Sequence, residues 1–231
     1  MRLIIFLIII LIIFTDNSES KKQIKNKIEL NEKFLGSWNE QKQDIIGYYN
    51  AKRRIYTSSK ISDKYKAENM IDGDINTCWA TSVNGGIGEQ ILLTSILLAP
   101  HNHEIYEIQG IYIYNGYWKN KKLYYKNNRI KNLYLSIYRV IIYPIDTDKG
   151  FRIYTKNKTI NKIYEKRIKL KDIFGKAQKI KVEIDLLEDY KKIERKIGMP
   201  IDYLFLFTIE DIYKGSKYND LCVSEIKFIY K

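Results

Sequence analysis

The sequence predicts an all-β protein, an antiparallel jelly-roll β-sandwich of about eight strands. Three observations carry the prediction. Runs rich in Ile, Leu, Val and Tyr recur from Arg53 to the end of the chain, divided by turns bearing Gly, Asn and Asp. Twenty tyrosines against three prolines favour strands. Strands do not alternate with helices as a parallel sheet requires, and no segment repeats at a regular period.

The chain opens on Arg2, an unbroken apolar run from Leu3 to Phe14, and the small-x-small triplet Ser18-Glu19-Ser20. Twelve residues at the helical rise span roughly 18 Å, short of the ~30 Å hydrocarbon core of a bilayer. Residues 1–20 are therefore read as a signal peptide, with no stable membrane span after its cleavage. The protein is expected to be exported: secreted, periplasmic or at the cell surface. Residues 21–50 are a polar leader whose apolar points, among them Phe34, Trp38 and Ile45, suit a short helix or an extended lead-in. Residues 51–231 are assigned to one sandwich, enough chain to bury a substantial core. Its last strand reaches almost to the final residue, so no separate catalytic domain is expected after it.

Within that domain Arg53–Ser59 reads as the first strand, followed by a long loop and then Gln90–Leu98. Ile105–Tyr114 places Ile108, Tyr112 and Tyr114 on one face and Ile111 and Ile113 on the other, the mark of an interior strand. In Arg129–Ile142, Leu133, Leu135 and Ile137 share a face opposite Tyr134, Ser136 and Tyr138, and a polar segment from Pro144 to Gly150 follows. Ile163–Leu170 is a further strand. Lys179–Leu186 alternates most cleanly, with Ile180, Val182, Ile184 and Leu186 inward. Asp189–Pro200 suits a short surface helix. Tyr203–Tyr213 reads as central, and Leu221–Tyr230 closes the sandwich.

The formal net charge is +13, rising to +14 without residues 1–20. Such a charge can serve nucleic acid, anionic lipid or an acidic glycan. Here the lysines are spread along the whole chain and alternate with Ile and Tyr, as on the solvated faces of strands, so no nucleic-acid partner is expected.

The densest chemistry lies between Ala67 and Glu89. Asp72-Gly73-Asp74 is a tight-turn sequence whose carboxylates either bond nearby amides or ligate a cation. A second cluster runs from Asn115 to Arg129. Tyr117, Trp118, Tyr124 and Tyr125 offer flat apolar faces, and Asn127, Asn128 and Arg129 offer planar hydrogen-bonding groups, a combination suited to sugars. The competing reading makes Asn127-Asn128 a hairpin turn in left-handed geometry, with Arg129 holding the loop together. Trp118, followed by Lys119–Lys122, is the leading candidate for an exposed platform. Cys78 and Cys222 are a candidate disulfide in an exported protein, or two small buried residues. His101 and His103 follow Pro100 and read as polar surface rather than metal ligands.

Catalysis is not expected. Both histidines lie in one loop, with no nucleophile motif elsewhere. Gly85-Gly86-Ile87-Gly88-Glu89 lacks the Lys-Ser/Thr of a phosphate loop. No pair of opposed carboxylates stands out as a glycosidase would require.

Four motifs in order then resemble a known family. Ala67-x-Asn69-x-Ile71-Asp72-Gly73-Asp74-x-x-Thr77-x-Trp79 is similar to the opening loop of galactose-binding-like jelly rolls, the discoidin or F5/8 type C group. Gly86-Ile87-Gly88-Glu89, Asn115-Gly116-Tyr117 with Asn127-Asn128-Arg129-Ile130-Lys131, and Tyr213-x-Gly215-x-x-Tyr218-x-Asp220-x-Cys222-Val223-Ser224-Glu225-Ile226 narrow it to the NADase-type glycan-binding, or translocation, domain. The resemblance runs from about Arg53 to Tyr230. It implies a non-catalytic, carbohydrate-binding module-like domain of exported proteins. It also implies a structural calcium between opening loop and last strand, held by Asp72, Asp74, Thr77 and Glu225, and no organic cofactor. The expected partner is a glycan at a cell surface or envelope. A protein-binding or assembly module of the envelope, using the same loops, is the alternative.

Overall fold

The computed structural model describes residues 55–95, 107–142, 158–197 and 201–231. The signal peptide, the polar leader, His101 and His103, and the segment Pro144–Gly150 lie outside the described residues.

Two antiparallel sheets face each other. The first contains β1 (Ile55–Thr57), β3 (Gln90–Ser95), β5 (Arg129–Ile142), β6 (Lys158–Lys169) and β8 (Ile201–Tyr213), in the order β1-β3-β8-β5-β6. The second contains β2 (Trp79–Thr81), β4 (Ile108–Asn115), β7 (Gln178–Lys181) and β9 (Leu221–Tyr230), in the order β2-β9-β4-β7. The described residues thus hold nine strands, one more than the sequence pattern predicts. Helix α1 (Lys121–Lys126) lies between β4 and β5, and α2 (Leu186–Ile197) between β7 and β8.

The core forms where the inward faces meet. Leu133, Leu135 and Ile137 of β5 and Phe205, Phe207 and Ile209 of β8 are buried with Ile111 and Ile113 of β4 and Val223, Ile226 and Phe228 of β9. Each such side chain contributes about 1.5–3 kcal/mol through burial. β5 runs over the residues its alternation predicts, and so does β9. β4 is an interior strand, between β9 and β7, as expected. Its face assignment needs correction: a register shift between Ile108 and Gly110 brings Ile108 into the core with Ile111 and Ile113. Tyr112 and Tyr114 are left on the outer face, because one extra residue in a strand reverses the direction of every side chain beyond it.

Two further corrections have local causes. β2 was read as part of a loop, being only three residues long and without room for a visible alternation. The strand predicted over Lys179–Leu186 stops at Lys181, and the helix predicted from Asp189 begins at Leu186. Asp185 causes the switch: its carboxylate accepts the Glu188 backbone N–H at 2.9 Å and caps α2. Leu186 and Tyr190 still reach the core, but from a helix. The helix is pinned by Asp189, which accepts hydrogen bonds from Arg139 at 2.6 Å and the Tyr203 hydroxyl at 2.7 Å.

Among the described residues no helix is long and apolar enough to cross a membrane.

Candidate functional site

Two clusters near β9 collect the residues singled out from the sequence. The first is the opening loop. Short 3-10 turns at Asp63–Tyr65 and Ala67–Met70 lead into Asp72-Gly73-Asp74, with Gly73 at φ +86°, a left-handed conformation that suits glycine. Asn69 ties the loop down by donating to the carbonyls of Lys64 and Cys78. Asp72 accepts the Asp74 N–H and the Thr77 hydroxyl, both at 2.8 Å, while Asp74 accepts the backbone and side-chain N–H groups of Asn76. The aspartates do stabilise turns, as one of the two sequence readings holds.

Glu225 arrives from β9 beneath this loop. It is only 2% exposed, and its Oε2 has no hydrogen-bond partner. Burial pushes its carboxyl up to about 7, the nearby Asp72 and Asp74 charges push the same way, and Lys227 and the Gly73 amide oppose them. Asp72 and Asp74 therefore act electrostatically on a buried carboxyl that keeps one oxygen without a partner. Carboxylate and hydroxyl oxygens are the donor type that a hard divalent cation takes. Among the described residues no three or more His, Cys, Asp or Glu side chains are already arranged around a metal position.

The cysteines lie beside this loop. Cys78 and Cys222 are both buried and both free, packed with Ala80 beneath Tyr65 and Tyr117. They are brought together as the sequence suggested, but as thiols, with the hydrogen bond to Cys78 the leading cause that raises the Cys222 thiol. In this structure both are small buried residues.

The second cluster is the Asn115–Arg129 connection. Asn115 at the end of β4 bonds both the N–H and the carbonyl of Ile130, closing the loop at its base. Gly116, at φ +87°, is required there: a Cβ would lie 2.7 Å from both Arg129 and Tyr124. Asn120 caps α1 by accepting the Leu123 N–H. Asn127 ends α1 in an extended conformation at φ −99°, so the Asn127-Asn128 hairpin turn of the alternative reading is not present. A six-residue helix stands in that place because the Asn120 cap and the Asn127 bond to Leu123 O satisfy its two ends.

The seven candidate sugar contacts separate into two groups. Tyr124, Asn127, Asn128 and Arg129 are buried. Asn128 spans the Gly85 carbonyl and the Gly215 N–H. Arg129 forks onto Asp172, at 3.0 and 2.6 Å, and donates to the carbonyls of Asn127 and Lys214. Burial and the Asp172 charge together raise the Tyr124 phenol. These groups hold the loops together. Tyr117 is half-buried over the cysteines. Trp118 is half-buried, its indole N–H bonded to Asn115 O and its ring edge-on to Tyr114 at 4.8 Å, and Tyr125 is 38% exposed.

Sequence reasoning missed the segment after β6. Asp172 is the partner of Arg129, Phe174 packs against Trp118 and Tyr124, and Ile173 is 42% exposed beside them. The only local signal was an Asp-Ile-Phe-Gly turn inside a lysine-rich stretch. The upper surface of this region is a partly open aromatic and apolar rim over a rigid, ion-paired base.

A search of curated proteins finds no match to the chain. Among solved structures, similarity is found to CpGH89CBM32-5 of Clostridium perfringens in complex with GalNAc-β-1,3-galactose, at 16% identity and a TM-score of 0.38, covering 77% of this chain and 94% of that one. The family 32 carbohydrate-binding module of C. perfringens NanJ, in complex with galactose, is similar at 14% identity and a TM-score of 0.35, covering 78% and 93%. The family profile of the NAD glycohydrolase translocation F5/8 type C domain matches residues 47–229, and this chain belongs to that family.

Proposed function

We propose that this chain is an exported, non-catalytic glycan-binding protein that acts at a cell surface or envelope. The observation that carries the reading is the rim built by Trp118, Tyr125, Ile173 and Phe174, partly open side chains on a base held by the Arg129–Asp172 ion pair. A ring platform held rigid before binding loses little entropy on meeting a sugar face. Membership of the F5/8 type C family and the sequence pattern of residues 1–20 agree with it. The contact residues are Trp118 and Tyr125, flanked by Tyr117. Tyr124, Asn127, Asn128 and Arg129 serve as positioning residues beneath them.

Calcium is the proposed structural cofactor, with Asp72, Asp74, Thr77 and Glu225 in the loop that would hold it. When bound it supplies a counter-charge for these carboxylates. The aspartates keep the turn closed, and Glu225 anchors it to β9.

A glycan array, run with and without chelator on the wild type and on Trp118→Ala, tests the reading. Binding that is lost in Trp118→Ala is the expected result. Absence of any glycan signal together with a stable protein partner in pull-downs would favour the assembly-module alternative.

A further inference from the structure

A second surface, away from the Trp118 rim, carries its own chemistry. Strand register places Lys179 of β7 opposite Tyr112 of β4, and Tyr112 opposite Lys227 of β9. Directly opposed residues in antiparallel strands point to the same face. Ile111 and Ile113 face the core, so Lys179, Tyr112 and Lys227 form a row across the outer face of the four-stranded sheet. In the next row Lys181 and Ile229 flank Gly110, which contributes no side chain. Tyr112 is 37% exposed, Lys179 and Lys181 are exposed, and the Lys227 ammonium stands 5.3 Å from the Tyr114 ring centre.

Some of the cations elsewhere on the domain are engaged in ion pairs. Lys131 pairs with Asp211, Lys162 with Glu165, Lys166 with Glu183 and Arg167 with Glu210. Among the described residues, Lys179, Lys181 and Lys227 form no ion pair. At a strand spacing of about 4.8 Å, the Lys179–Tyr112–Lys227 row spans roughly 10 Å, cation, ring, cation. A ring takes the C–H face of a sugar, and the ammonium groups on either side take its anionic substituents.

We propose that this face binds a linear, carboxylate-bearing polysaccharide, independently of the Trp118 rim. The proposal extends the glycan-binding reading to a second, acidic class of ligand. The alternation of ring and cation along a flat pleated surface matches a chain that is itself alternately apolar and anionic. A bilayer would ask for a protruding apolar group, and Ile229, the aliphatic side chain in these rows, is only half-exposed.

Polygalacturonate is the probe, with an unsubstituted neutral galactan as its uncharged counterpart, measured by affinity electrophoresis at low salt on the full chain. Wild type is expected to be retarded by polygalacturonate. The Lys179→Gln/Lys227→Gln double variant should bind it at least tenfold more weakly, and Tyr112→Ala should weaken it while leaving the charge unchanged. Lys131→Gln removes a paired lysine and should have no effect. Equal losses in Lys131→Gln and in the double variant would overturn the proposal, since net charge alone would then account for binding. So would failure of polygalacturonate to bind, or tighter binding to a homopolymeric RNA or to anionic vesicles than to polygalacturonate. Trp118→Ala separates the two readings: it should abolish neutral-glycan binding and leave polygalacturonate retardation intact.

Discussion

Arg129 and Glu225 are both buried ionisable groups, 4% and 2% exposed, at neighbouring ends of the same loop system. Arg129 is fully answered, by the forked Asp172 carboxylate and two backbone carbonyls. Glu225 is pushed up by the charges of Asp72 and Asp74 and keeps one oxygen without a partner. The difference separates structure from function more sharply than residue type does. A buried polar group that is satisfied internally has nothing left for a ligand, whereas one left unsatisfied is costly until something binds. The arginine singled out as a sugar contact is engaged in a buried ion pair, while the glutamate keeps one buried oxygen without a partner.

The largest effect is expected from removing the satisfied ion. Arg129→Ala leaves Asp172 and two carbonyls without their donor and should cost about 3 kcal/mol in urea denaturation. An effect under about 1 kcal/mol would show that the pair is no anchor.

Calcium should act in the opposite direction on the Glu225 side. In excess over its dissociation constant by about a hundredfold it would add roughly 2.7 kcal/mol to the folded state. A melting temperature unchanged by calcium or chelator would remove the cation from the proposed function, and Asp74→Ala should abolish any shift.

In chelator, Glu225 adds a pH dependence whose sign can be worked out. Its folded pKa, about 7, lies above the ordinary 4.5, so the folded state holds the proton more tightly. Stability from this group is full below about pH 4.5 and falls as pH rises through 7. Glu225→Gln should flatten that slope and raise stability at pH 8 by roughly 2 kcal/mol, read as a melting curve series. A steeper fall in the variant would contradict the assignment.

The smallest effect concerns the cysteines. Alkylation of the native chain should be slow at both Cys78 and Cys222, and denaturation without reductant should expose two reactive thiols. Finding none under denaturing conditions would mean that the pair is bridged.

How much could be read without coordinates depended on the range of the interaction. The alternation of Leu133, Leu135 and Ile137 gives the bounds and inward face of β5, because a period of two is visible within one strand. The same reasoning failed for β4 beyond Ile108, since a bulge is a property of two paired strands and leaves no trace in one of them. The end of β7 was misplaced because Ile180, Val182, Ile184 and Leu186 continue the strand pattern into a helix. The Asp185 cap, three residues before Glu188, was the signal that should have prevailed. Asp172 was invisible as a site residue, lying forty-three positions from Arg129 with nothing local to mark it.

The sequence by itself determined the sandwich, most of its strands and the family, because strand period and turn residues act over a few neighbours. Tertiary structure decided which polar side chains are spent and which remain available. That division depends on partners brought from distant strands: Asp172 reaches Arg129, and Asp72 and Asp74 reach Glu225. In a low-dielectric interior the presence or absence of one such partner is worth several kcal/mol, and no property of the isolated residue reveals it.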